Sequence, residues 1–171
     1  MATAAPALIR RAPLAARLQP WLVATAAGLF GLVLLAFARQ VAHGAIAWPT
    51  RQGLWLAMHL ATVVPALPLG AWVLFGGKGT RVHKVAGRVW AVLMLVGAAS
   101  SFGLTGLMGH LSSIHLLSAL TVVAIPYGVR SAMTGDIARH QRTMTRVFIG
   151  LIGAGLFAFV PGRLLAVWLW G

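Results

Sequence analysis

Long apolar runs alternate along this chain with short polar connections, most of them basic. Five runs are long enough to cross the roughly 30 Å of bilayer hydrocarbon. They are Trp21–Ala38, Leu54–Phe75, Val85–Met108, Leu111–Val129 and Val147–Trp170. A backbone in hydrocarbon must satisfy its own polar groups, so each run is expected to be an α-helix. Short connections place consecutive helices antiparallel. The expected fold is all-α, an integral membrane protein of five transmembrane helices forming a single transmembrane domain. Residues 1–19 would be a cytoplasmic tail, 20–40 the first span, and 53–171 a four-helix bundle.

Composition strengthens this reading. The chain of 171 residues is 60% hydrophobic and 9% charged, with a mean hydropathy of +0.89. A soluble domain of this size needs far more charge on its surface. Cysteine is absent, which excludes disulfides, thiolate metal sites and iron–sulfur clusters.

Charge then sets an orientation. Fourteen Lys and Arg face one acid, Asp136, for a net +13. The cations cluster beside apolar runs, so they read as topology signals and contacts for anionic lipid headgroups rather than as a nucleic-acid surface. Arg10, Arg11 and Arg17 precede the first run. Lys78, Arg81, Lys84 and Arg88 follow the second, and Arg130, Arg139, Arg142 and Arg146 follow the fourth. Only Arg39, Arg51 and Arg163 fall on the other side. The positive-inside rule places the N-terminus in the cytoplasm and the C-terminus outside. Trp48, Trp55, Trp168 and Trp170 suit an outer aromatic belt. The first run ends in "AFA" (Ala36–Ala38), as a cleaved signal peptide does, but its length favours a retained anchor.

The runs also repeat. The second holds His59 and then "PLG" (Pro68–Gly70); the fourth holds His115 and then "PYG" (Pro126–Gly128). Each is followed by a basic connection and another histidine, His83 or His140, and then by "GRVW" or "TRVF". The histidines are separated by 24 residues in one unit and 25 in the other. Spans two and three therefore read as one two-helix unit, and spans four and five as its copy.

This register puts four histidines in two layers, His59 and His115 near the outer face, His83 and His140 near the inner one. Beside them on each helical wheel lie small residues such as Gly70, Gly87, Gly97, Ala119 and Gly155, which allow close helix approach or room for a flat ligand. Polar groups within spans usually face the bundle interior with a partner. Imidazoles paired across a four-helix bundle can bind one iron axially. The expectation is one or two bis-histidine haem b groups, held by His59/His115 and His83/His140. Arg88, Arg142 and Arg146 would pair inner propionates, and Arg163 or Arg51 outer ones.

Each feature also has a plainer account. His83 and His140 would be solvated at the interface, His59 and His115 would hydrogen-bond across helices, and Arg88 and Arg146 would snorkel to headgroups. Asp136 is first a helix N-cap and second a carboxylate that could orient His140 one turn on. His43 and His110 have no assigned role.

"KGTRVHKVAGRVWAVLM" (Lys78–Met94), "GDIARHQRTM" (Gly135–Met144) and "GLFAFVPGRLL" (Gly155–Leu165) together resemble a bacterial family of predicted multi-pass membrane proteins of unknown function. That resemblance implies the topology and no activity. The chain is more loosely similar to transmembrane di-haem b cytochromes, whose four core helices carry one histidine each, the first paired with the third and the second with the fourth. That likeness implies the pairs already named, the outer one being the better match. The expected function is electron transfer with a quinone or small reductant. The competing readings are a cofactor-free structural or accessory membrane protein and a transporter whose histidines relay protons; scarce intramembrane carboxylate argues against the transporter. No catalytic nucleophile with an acid–base partner is visible.

Overall fold

The computed structural model describes residues 14–43, 51–104 and 113–170. They form α1 (Leu14–Ala42), α2 (Arg51–Phe75), α3 (Arg81–Ser101), α4 (Ser113–Met133), α5 (Ile137–Phe157) and α6 (Leu164–Trp170), with no strand among the described residues. Four segments are long and apolar enough to cross a membrane: Gln19–Ala42, Gly53–Phe75, Arg81–Ser101 and His115–Met133. The chain is an all-helical protein of multi-pass membrane type.

The fifth apolar run is arranged differently from the continuous span that hydropathy predicts. Its helix begins at Ile137 rather than Val147 and stops at Phe157. Past that point the backbone tightens, with Phe159 N–H bonded to Leu156 O at 3.1 Å and Val160 N–H to Phe157 O at 3.2 Å. Pro161 follows and has no N–H with which to continue the helix. The early start commits the first turns of α5 to Arg139, Arg142 and Arg146, so α5 is absent from the four apolar segments. The short α6 lies against α1, where Gln40 Nε2 donates to Trp168 O at 3.5 Å.

The reason for the early start recurs in the other unit. Gly79 and Gly135 both take left-handed backbone conformations, φ 78° and 83°, which glycine adopts without steric cost. A capping residue follows each. Thr80 Oγ1 accepts from His83 N–H at 3.1 Å and Asp136 Oδ1 from Arg139 N–H at 3.0 Å. These caps satisfy N–H groups that a helix start leaves open. They draw the basic segments into the helices, so α3 begins at Arg81, ahead of its apolar run.

α2 packs most extensively on α3, and α4 on α5; α3 against α4 and α5 against α2 close a ring. Within the described residues α2 and α4 do not adjoin, nor do α3 and α5, so each of these is a diagonal pair. α1 stands outside the ring against α2, α5 and α6. Both tight turns, 76–80 and 134–136, fall at one end, hereafter the basic end. The C-terminus of α3 and the start of α4 lie at the other, the serine end.

Between the ends the bundle is filled by the aromatic residues that close the two repeated motifs. Trp90 and Phe148 are 1% and 0% exposed, with ring centroids 6.5 Å apart. Phe75 meets Phe148 edge-on at 6.2 Å, and Trp90 Nε1 donates to Ala66 O at 3.0 Å. This packing needs Gly70. A Cβ there would stand 2.5 Å from Trp90 Nε1 and 2.8 Å from the Phe148 ring. Its counterpart Gly128 receives Met144 in the same way, where a Cβ would collide with the Met144 methyl. The glycines of "PLG" and "PYG" are thus the seats on which each unit's second helix rests.

Candidate functional site in two histidine layers

At the serine end the acceptors are backbone carbonyls of the last turns of α3. His59, from α2, donates through Nδ1 to Gly97 O at 2.9 Å and lies 3.2 Å from Ser100 Oγ. The fully buried Ser100 hydroxyl itself donates to Gly97 O at 2.9 Å. From the other side, α4 brings His115, only 6% exposed, whose Nε2 donates to Ser101 O at 3.1 Å. Its ring also packs on Phe102, 5.8 Å between centroids. Ser101 Oγ donates to Ala98 O at 2.7 Å and shares a 2.7 Å hydrogen bond with Ser118 Oγ.

These bonds add to partners that the α3 carbonyls already have, Ser100 Oγ on Gly97 O at 2.9 Å and Leu104 N–H on Ser101 O at 3.0 Å. In these positions His59 and His115 brace the end of α3. His115 presents its Nε2 as a donor to a carbonyl, not as a lone pair toward His59.

The basic end is built differently. His140 Nδ1 donates to Gly128 O at 2.9 Å, which leaves Nε2 as the nitrogen carrying the lone pair. His83 sits in the first turn of α3, against the carbonyl of Val73 and within electrostatic reach of both His140 and Lys78. Each ring therefore reaches back to the preceding helix of its own unit, and the two come from the diagonal pair α3 and α5. An imidazole anchored through one N–H to a carbonyl, with its other nitrogen open, is the usual posture of a metal-ligating histidine.

The remaining site candidates take other places. Arg88 and Arg146 are exposed and lie about 140° and 120° round their helices from His83 and His140, away from the space between those rings. Arg142 Nε donates to Ala138 O of its own helix at 3.2 Å. Arg163 sits 4.4 Å over the Phe157 ring. Asp136 caps α5 and pairs with Arg139 at 3.1 Å, while the His140 ring turns to Gly128. His43 is exposed at the end of α1. His110, Trp48, Arg10, Arg11 and the side chains of Arg17 and Arg51 lie outside the described residues.

Sequence reasoning overlooked Ser100 and Thr80. The doublet Ser100–Ser101 ahead of "FG" was the available signal for a polar helix end, and the Gly–Thr step before Arg81 the signal for a cap. Among the described residues no three or more His, Cys, Asp or Glu side chains gather in a way that could hold a metal ion. No protein-family model, no curated protein and no solved structure matches the chain.

Proposed function

We propose that this chain is a five-pass protein of a bacterial cytoplasmic membrane, with its N-terminus in the cytoplasm, that carries electrons through a haem b held by His83 and His140. On this reading α5 and α6 together make the fifth crossing, and the basic end is the cytoplasmic one. The observation that carries the haem assignment is the posture of the basic-end pair. His83 and His140 stand at the same end of the bundle on diagonal helices, and His140 gives its Nδ1–H to the Gly128 carbonyl, which leaves Nε2 for a ligand bond. His83 and His140 would hold the iron through their ring nitrogens. At the serine end both rings bond carbonyls of α3 and tie it to α2 and α4, and no step is assigned to that pair. Haem held by these residues would supply a one-electron redox centre. The chain's contribution is to hold both rings, and to separate the pair from the serine end by the packed Trp90–Phe148 layer.

A second reading, a cofactor-free accessory membrane protein, is favoured by the serine-end cluster, where histidines serve helix architecture alone. A reduced-minus-oxidised absorbance spectrum of the detergent-extracted protein separates the two. Haem gives a b-type difference spectrum that His83→Ala and His140→Ala each abolish and His59→Ala leaves in place. A colourless wild-type protein without bound iron overturns the haem reading and leaves the accessory one.

A further inference from the structure

The two repeat units share a feature that the haem reading leaves unused. Arg81, Lys84 and Arg88 on α3 have the same spacing as Arg139, Arg142 and Arg146 on α5. At 100° per residue each trio falls within about 60° of arc and runs about 10 Å along its helix. All six side chains are exposed, as are Lys78 and Arg130 near the same turns. Spread over one end of the bundle are thus eight exposed cations. The one carboxylate of the whole chain, Asp136, is taken by Arg139 at 3.1 Å. Nothing acidic in the protein is left for the α3 stripe.

Two exposed aromatics lie near this end, Trp72 and Tyr127, each 51% exposed. Arg139 lies 5.9 Å over the Tyr127 ring. Exposed Trp and Tyr at the ends of apolar helices mark the headgroup level of a bilayer. The stripes begin at that level and continue about 10 Å along their helices, where cations would meet phosphodiesters.

We infer that the α3 stripe, Arg81, Lys84 and Arg88, binds the phosphate headgroup of an anionic phospholipid, and that the α5 stripe is a second, weaker copy. The copy is weaker because Asp136 neutralises part of it. This requires the chain to sit in a bilayer but does not require haem, so either proposal can fail without the other.

The test uses the full-length protein reconstituted in nanodiscs of equal phosphatidylcholine and phosphatidylglycerol, released into detergent, with retained lipids counted by native mass spectrometry. Phosphatidylglycerol should be retained in preference. The preference should fall by about fivefold for each cation neutralised in R81Q/K84Q/R88Q, and by less in R139Q/R142Q/R146Q. The charge-preserving R81K/K84R/R88K variant should keep it, which separates lost charge from a damaged fold. In the wild type, raising salt from about 0.1 M to about 1 M shortens the screening length from about 10 Å to about 3 Å and should erase the preference. Unchanged retention in R81Q/K84Q/R88Q, or a preference that persists at high salt, overturns the assignment. Displacement of the lipid by inorganic phosphate would also overturn it, since the site would then be one for free anion.

Discussion

At the serine end, His59 and His115 come from diagonal helices and both donate to carbonyls of α3, the helix between them. At the basic end, His83 and His140 also come from diagonal helices, yet His140 donates back to α4, the helix that leads into its own. The difference lies in which helix each ring bonds. His59 and His140 each bond the other helix of their own unit, whereas His115 bonds α3 of the other unit. One residue type in one repeated register thus serves as a brace between units at one end and as an open pair at the other. A histidine's position in a span does not settle its role; the helix packed beside it does.

The largest effect should come from the layer that keeps the ends apart. Phe148→Ala removes a fully buried ring shared by both units and should cost about 3–5 kcal/mol, read as a lower midpoint in thermal unfolding of the detergent-solubilised protein. A loss below about 1 kcal/mol would mean that the aromatic layer does not join the units.

Next comes Gly70→Ala, expected at about 1–3 kcal/mol, because the new methyl meets two buried aromatic rings. Gly128→Ala should cost less, since the atom it strikes is the far end of the flexible Met144 side chain. Gly153→Ala, with open space around it, should be neutral or slightly stabilising. Equal costs at Gly70 and Gly153 would refute close packing at Gly70.

The histidines sharpen the comparison directly. His115→Ala and His59→Ala each remove one interhelical hydrogen bond to α3, although Ser101 O keeps Leu104 N–H and Gly97 O keeps the Ser100 hydroxyl. Each should lower stability by about 1 kcal/mol. His83→Ala should change stability less than either, as that ring is less buried. If His83→Ala proves the most destabilising of the three, the assignment of brace and open pair is reversed.

The caps should act on a similar or smaller scale. Thr80→Ala should cost about 1 kcal/mol, while Asp136→Asn, which keeps a good capping oxygen, should cost a few tenths. The exposed Asp136–Arg139 pair adds little to either figure. Amide hydrogen exchange at the first turns of α3 and α5 reads these directly, and faster exchange in the Asp136→Asn protein than in Thr80→Ala would contradict the ranking.

By itself the sequence determined the helical character, the apolar helices long enough to cross a membrane, and the basic end. These depend on composition and on short-range spacing, since transfer into hydrocarbon and helix capping are local. It also placed the glycines of "PLG" and "PYG" as matched positions, though not the aromatic and methionine side chains they receive. Only the tertiary structure decided that the fifth run breaks at Pro161, that α1 stands outside the ring, and that His59 and His115 share α3 as their acceptor. Those partners lie 38 and 14 residues away in the chain. Which nitrogen donates to which carbonyl depends on how each helix is rotated and which helix stands beside it, and no local pattern carries that information.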